Sequence, residues 1–220
     1  MRLEVPTLVV VTGPPAAGKT VLAERLAVEL RVPLLAKDDV KLALYRALGA
    51  SDMAESQRLG AAAFEVLSTT AARLLAAGVG VVLEGNFAHG RSEAALLPLL
   101  EAAEAVQVHC AAAREETLRR YRSRRRHEMH FDEAALPRVL EALDSGVHDP
   151  MDLGVPTLPV DTTAGYDPRL EAILRFVRTG VLHVPARSTA GGRPAHRPPP
   201  GTPRQPPNAR DRSPSPLRGG

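Results

Sequence analysis

Leu8-Val9-Val10-Val11-Thr12-Gly13-Pro14-Pro15-Ala16-Ala17-Gly18-Lys19-Thr20 joins an apolar, β-branched run to a glycine-bounded loop that ends in a lysine and a hydroxyl residue. The last eight residues fit G-x-x-x-x-G-K-[ST], and the flanking pattern predicts a strand before them and a helix after them. Gly13 and Gly18 permit the dihedral angles by which consecutive backbone N–H groups turn toward one anion at a helix N-terminus. Gly13, Pro14, Pro15, Ala16, Ala17, Gly18, Lys19 and Thr20 are therefore the expected cradle of a nucleotide's phosphates. Lys19 supplies a point charge for the β- and γ-phosphates, and the Thr20 hydroxyl is a ligand for a magnesium ion.

Working outward, short β-branched runs alternate with Ala/Leu-rich amphipathic stretches, which is the pattern of βαβ units around a parallel sheet. Strands are expected at 7–12, 33–36, 79–84, 106–110 and 157–161. Helices are expected at 19–30, 39–48, 55–76, 92–103, 115–126, 132–143 and 168–178. Five strands with covering helices make one three-layer α/β domain over residues 1–183, a P-loop NTPase fold with a five-stranded parallel sheet and a short Arg-rich lid.

Charge divides the chain in the same place. The 220 residues sum to +3 with a pI near 9.4, yet residues 184–220 hold seven arginines against one acid, Asp211. That tail is +6, which leaves −3 for residues 1–183, so the folded part has no global field to attract a polyanion. With ten prolines and almost no apolar residues the tail reads as disordered. It has no aromatic residue on which a base could stack. Cys110 is the one cysteine, so no intramolecular disulfide forms and a reducing, cytoplasmic setting is expected. The N-terminus lacks the pattern of a secretory signal, and no uninterrupted apolar run of membrane-spanning length occurs, so no membrane partner is expected.

Beyond the cradle, Lys37-Asp38-Asp39-Val40-Lys41 follows the second strand, Glu84-Gly85-Asn86-Phe87 follows the third, and an Arg-rich stretch from Arg114 to Arg126 follows the fourth. With these elements, residues 5–180 resemble the P-loop kinases related to polynucleotide kinase, zeta toxins and chloramphenicol phosphotransferase, a group of AAA-type ATP-binding proteins. The resemblance implies that Asp38, in a D-x-x-R/K element, is the base toward an acceptor hydroxyl and that Lys41 holds the substrate. Asp39 competes for the role of base, and whichever carboxylate is not so used is expected to cap the helix that follows. Glu84 stands where relatives carry an acidic element near the metal. As a glutamate rather than the usual aspartate it reads either as a ligand to magnesium-bound water or as a buried acid paired with a base, with Asn86 facing the substrate. Arg120 and Arg124 match the lid spacing R-x-x-x-R, with Arg126 a third candidate, and would neutralise transition-state charge. Asp161 and Thr162 close strand five beside the expected position of the nucleotide base. His127 and His130 have zinc-like spacing but make a poor metal site, because structural zinc takes four ligands and catalytic zinc usually three.

The expected function is transfer of the γ-phosphoryl of ATP, with Mg2+, to a hydroxyl of a small molecule or a polynucleotide 5′ end. Few aromatics between strands two and three favour a small acceptor. The alternatives are a P-loop ATPase acting as a conformational switch and a nucleic-acid interaction protein working through the basic tail. The chain has no N-K-x-D element for guanine selection and no L-S-G-G-Q run.

Because the tail lacks apolar surface with which to dock, deleting residues 184–220 is expected to leave the melting temperature and ATP affinity unchanged. A large loss of thermal stability on truncation would show that the tail packs on the domain.

Overall fold

The computed structural model of the protein describes residues 5–123, 127, 129 and 132–181. Five strands form one sheet in the order β2-β3-β1-β4-β5, and every neighbouring pair is parallel. The strands are β1 (Thr7–Thr12), β2 (Leu34–Ala36), β3 (Val81–Glu84), β4 (Glu104–Ala111) and β5 (Thr157–Asp161). The helices are α1 (Lys19–Leu30), α2 (Lys37–Leu48), α3 (Met53–Ala76), α4 (Glu93–Glu101), α5 (Arg114–Ser123), α6 (Asp132–Asp144) and α7 (Leu170–Thr179). This is the three-layer α/β architecture expected from the alternation of runs.

Parallel strands alternate their side chains between two buried faces, so both faces must be apolar. On one, Val9, Val11, Val82, Val108 and Val160 meet Leu22, Ala23 and Leu26 of α1 and Ile173 and Phe176 of α7. On the other, Leu8, Val10, Val81 and Leu83 meet Leu67, Ala71 and Leu75 of α3 and Leu96 and Leu99 of α4. Each such buried leucine contributes roughly 1.5–3 kcal/mol relative to exposure. Among the described residues α3 alone is long and apolar enough to cross a membrane by length and composition. The expectation of no such segment counted uninterrupted apolar runs, whereas α3 mixes alanines and leucines with polar residues. Its buried positions Ser56, Leu59, Ala63, Leu67, Ala71 and Leu75 recur every three or four residues. They make the single stripe by which a helix packs on a core.

The register aligns the carboxyl edge of the sheet. Ala36 pairs with Glu84, Glu84 with Val11, Thr12 with His109 and Ala111 with Asp161. The chain leaves β1 toward β2 on one side and returns by β3 to β4 on the other, so the order reverses at β1 and a crevice opens beyond its end. Loops from four strands converge there.

At that edge the chain passes under β4 with no room for a side chain. Gly13 has φ +137, and a Cβ built on it would stand 2.0 Å from the Cys110 carbonyl oxygen. Gly13→Ala is therefore expected to destabilise the fold by roughly 2–4 kcal/mol, from positive-φ strain and overpacking together. Urea unfolding measures it, and a midpoint equal to that of the parent protein would contradict the packing described.

Candidate active site

The loop between β1 and α1 is a rigid arch. Ala17 N donates to Pro14 O at 3.2 Å, Ala16 has φ 65, and Gly18 takes the left-handed conformation at the N-cap of α1. Lys19 is expected to face solvent and phosphate rather than the core, and it lines the cleft without being open to solvent. It is buried, at 7% exposure, with Nζ donating to Pro14 O at 2.8 Å. The physical reason is that an arch of carbonyls and N–H groups offers the ammonium a closer partner than water does, while keeping it inside the ring of backbone dipoles.

A cleft of about 1190 Å³ lies over this arch. Pro15, Ala16, Gly18, Lys19 and Thr20 line it, together with Asp38, Lys41, Glu84, Asn86 and Arg120. Gly13, Pro14 and Ala17 support the arch from behind, with Ala17 and Gly13 buried. Asp39 is exposed and does not line the cleft, so of the two aspartates only Asp38 faces it. The expected cap is corrected too. The N-cap of α2 is Ala36, with no side-chain cap, and the helix begins at Lys37. Both aspartates thus sit in its first turn, where they complement the helix dipole without capping it. Arg124 and Arg126 lie outside the described residues, as do residues 182–220.

Three groups not singled out in the sequence also line the cleft: Lys37, the pair Phe64 and Phe87, and Arg91. Burial pulls the Lys37 ammonium below its ordinary range, opposed by the carboxylates of Asp38 and Glu84. Glu84 is 4% exposed, so its partnership with a base is real in part, yet it still faces the cleft. Phe64 and Phe87 meet edge to face at 5.7 Å and give the cleft an apolar floor. Lys41 Nζ donates to Ser56 Oγ at 2.7 Å, and Ser56 Oγ donates to Met129 O at 2.6 Å. This chain ties α2 to α3 and to the segment after α5.

Arg120 is held firmly. It donates to Glu116 at 2.6 Å, to Thr162 Oγ1 at 3.2 Å, and to the carbonyls of Thr162 at 2.7 Å and Thr163 at 3.1 Å. Thr162 Oγ1 in turn lies 2.9 Å from Ala17 O. The side chain of Thr162 therefore links α5 to the arch; no local pattern marks a residue whose partners are 42 and 145 positions away. The Glu116 carboxyl is drawn down to about 2, first by its hydrogen bonds from Arg119 and Arg120. Asp161 is held low by Thr163. His127 stacks edge-on against Tyr45 at 5.0 Å.

A magnesium site here would be of the kind that combines one or two protein oxygens with phosphate oxygens and water. Among the described residues no group of three or more His, Cys, Asp or Glu could hold a metal. Thr20 at the start of α1 and Glu84 at the end of β3 are oxygen donors in the same cleft, which is the donor set such a site needs.

An arched loop between strand and helix, a lysine folded into it and a parallel sheet reversing direction at that strand define a P-loop protein of the kinase-like group. The chain belongs to the AAA_33 family (AAA domain), whose profile matches residues 8–145. No curated protein matches it by sequence. Among solved structures, a candidate kinase from Chloroflexus aurantiacus J-10-fl is 36% identical over 81% of this chain and 100% of that one, with a TM-score of 0.72. A sugar kinase from Janibacter sp. HTCC2649 is 16% identical over 79% of this chain and 95% of that one, with a TM-score of 0.55. The APS kinase CysC of Mycobacterium tuberculosis, solved with AMPPNP and APS, is 18% identical over 80% and 99%, with a TM-score of 0.51. The last two are likenesses of fold.

Behind the arch, Thr12 and His109 form a register pair, and neither Thr12 Oγ1 nor His109 Nδ1 has a hydrogen-bond partner among the described residues. His109 is 6% exposed, and burial lowers its pKa from 6.5 to about 4, with Lys19 and His148 acting in the same direction and Asp149 opposing. An unfolded chain binds this proton below pH 6.5 while the folded one does not. The stabilisation is thus complete above 6.5 and is lost as pH falls toward 4. Over that window the wild type is expected to lose on the order of 3 kcal/mol more stability than His109→Gln. Urea melts of both proteins across the window measure the difference, and parallel curves would remove His109 from the pH response.

Proposed function

We propose that this protein is an ATP-dependent phosphotransferase that moves the γ-phosphoryl group of ATP to a hydroxyl. The observation that carries the reading is the placement of Asp38 and Lys41 in one cleft with Lys19 and Thr20. A hydrolytic switch needs the cradle and a group that orients the attacking water. A kinase also needs a carboxylate and a substrate-holding cation on the acceptor side, at the end of a neighbouring strand.

In this reading the N–H groups of residues 13–20 and the α1 N-terminus bind the phosphates, and Lys19 balances the charge on the β- and γ-groups. Thr20 would hold a magnesium ion directly and Glu84 through water, and the ion would supply positive charge against the phosphates. Asp38 accepts a hydrogen bond from the acceptor hydroxyl, aims its oxygen at the γ-phosphorus and takes the proton as the O–P bond forms and the bond to the β-phosphate oxygen breaks. Lys41 and Asn86 hold the acceptor in line, and Phe64 and Phe87 exclude water beneath it. Arg120, anchored as described, acts on the donor side and keeps α5 against the arch. Lys37, between Asp38 and Glu84, keeps two carboxylates from repelling each other beside a polyphosphate.

Asp38→Asn preserves size and hydrogen bonding but removes the proton acceptor. Acceptor phosphorylation is expected to fall by about 10²–10⁴-fold, with ATP affinity nearly unchanged, whereas Lys19→Ala should weaken both. Transfer rates by labelled ATP and affinities by calorimetry on the same folded variants decide it. Unchanged transfer in Asp38→Asn would remove Asp38 from the mechanism, and lost ATP binding would place it on the metal. ATP hydrolysis with no acceptor dependence would favour the switch.

A further inference from the structure

The acceptor end of the cleft carries a cation that the phosphoryl-transfer reading does not use. Arg91 lines the cleft, and it also lines a second pocket of about 680 Å³, together with His89, Arg138 and Glu141. It is therefore the residue common to the two spaces. The donor side already has Lys19 and Arg120, and the reacting hydroxyl has Asp38, Lys41 and Asn86. A further arginine at the far end has no partner in that chemistry.

Its backbone is held in place. His89 N donates to Val147 O at 2.8 Å, and His89 Nδ1 lies 2.9 Å from Pro150 O. Ala88 N donates to Ser92 Oγ at 3.0 Å, and Gly90 N donates to Glu93 Oε1 at 2.8 Å. Ser92 and Glu93 thus consume the polar groups of the loop while Arg91 projects from it. Arg91 and Arg138 are both exposed, and like most of the described arginines neither forms an ion pair. The carboxylate lining the outer pocket is Glu141, set against Arg91, Arg138 and His89. An unpaired guanidinium on a fixed loop at the rim of a cleft is suited to bidentate recognition of an oxyanion.

We propose that the acceptor is a small hydroxyl compound that also bears an oxyanion, a carboxylate or a phosphate, which Arg91 binds at the junction of the two pockets with Arg138 adding to the field. The proposal rests on the phosphotransferase reading for the location of the hydroxyl and adds the class of substrate. The oxyanion anchors one end of the molecule at Arg91, and the hydroxyl reaches Asp38 across the floor made by Phe64 and Phe87.

The test uses the full chain with ATP and magnesium and matched acceptors that differ in one anionic group: glycerol with glycerate and glycerol 3-phosphate, glucitol with gluconate and glucitol 6-phosphate. The anionic members are expected to exceed their neutral counterparts at least about tenfold in kcat/KM. Arg91→Ala is expected to collapse that ratio toward one through a KM rise of about 10–100-fold, with Arg91→Lys restoring part of it. Preference for the carboxylates or for the phosphates identifies which oxyanion is read. Neutral acceptors used as well as anionic ones, or a ratio unmoved by Arg91→Ala, overturns the proposal. If no compound is phosphorylated, calorimetric binding of gluconate and glucitol 6-phosphate, in the presence of a non-hydrolysable ATP analogue, separates the two ideas. Binding lost in Arg91→Ala keeps the oxyanion site and sets aside the transfer reading, whereas absence of binding to the wild type overturns the site itself.

Discussion

The cleft exists because one residue has no side chain. Gly13 lets the chain leave β1 and turn against the end of β4, where the Cys110 carbonyl oxygen would lie 2.0 Å from any Cβ. That contact sets the height of the arch above the sheet and places Gly18 at the N-cap of α1. The N–H groups of the first turn then aim at the point where the loops after β2 and β3 also end. Cys110 itself is fully buried, with its thiol pushed up to about 12 by burial, so it serves the arch as packing and a backbone oxygen rather than as a nucleophile.

Charge in the protein is arranged locally, against the sign of the whole. Residues 1–183 sum to −3 by the sequence, yet Lys19, Lys37, Lys41, Arg91 and Arg120 face one cleft with Asp38 and Glu84 as its carboxylates. All of these cations but Arg91 are partly or wholly withdrawn from water, and the low dielectric strengthens their attraction for an anion. The cost appears at Lys37, whose ammonium is pulled down by burial even with two carboxylates beside it. An anion entering the cleft would lower that cost, so the ligand stabilises the site that binds it.

Sequence pattern exposed what depends on neighbours along the chain and hid what depends on neighbours across it. The cradle was legible because its dihedral demands fall on eight consecutive residues, and the strands because buried parallel strands are continuous apolar runs. The D-x-x-R/K spacing favoured Asp38, yet Asp39 stayed a rival, since a carboxylate at a helix start is favoured whether it caps or catalyses. Only the beginning of α2 at Lys37 turns one toward the cleft and the other toward solvent. Lys19 was legible as a phosphate-facing charge, whereas its partner, Pro14 O, is visible only once the loop has closed. Phe87 ends an element read for Glu84 and Asn86, and Arg91 lies beyond it in a loop with no motif. Phe64 belongs to a helix whose apolar stripe masks what its cleft-facing edge does.

The same distinction explains how α5 is tied to the arch. Arg120 is fixed by Glu116 one turn earlier and by the loop after β5, and that loop is fixed to the arch through Thr162 and Ala17 O. Movement of α5 toward or away from the cleft must therefore strain either the guanidinium contacts at Thr162 and Thr163 or the hydroxyl contact at Ala17. Each is a modest interaction, on the order of 1–3 kcal/mol for a charged donor, and together they join three segments distant in sequence. Arg120, the loop after β5 and the arch are thus joined by a contiguous set of hydrogen bonds. Those contacts give Arg120 a structural role: it holds α5 against the arch.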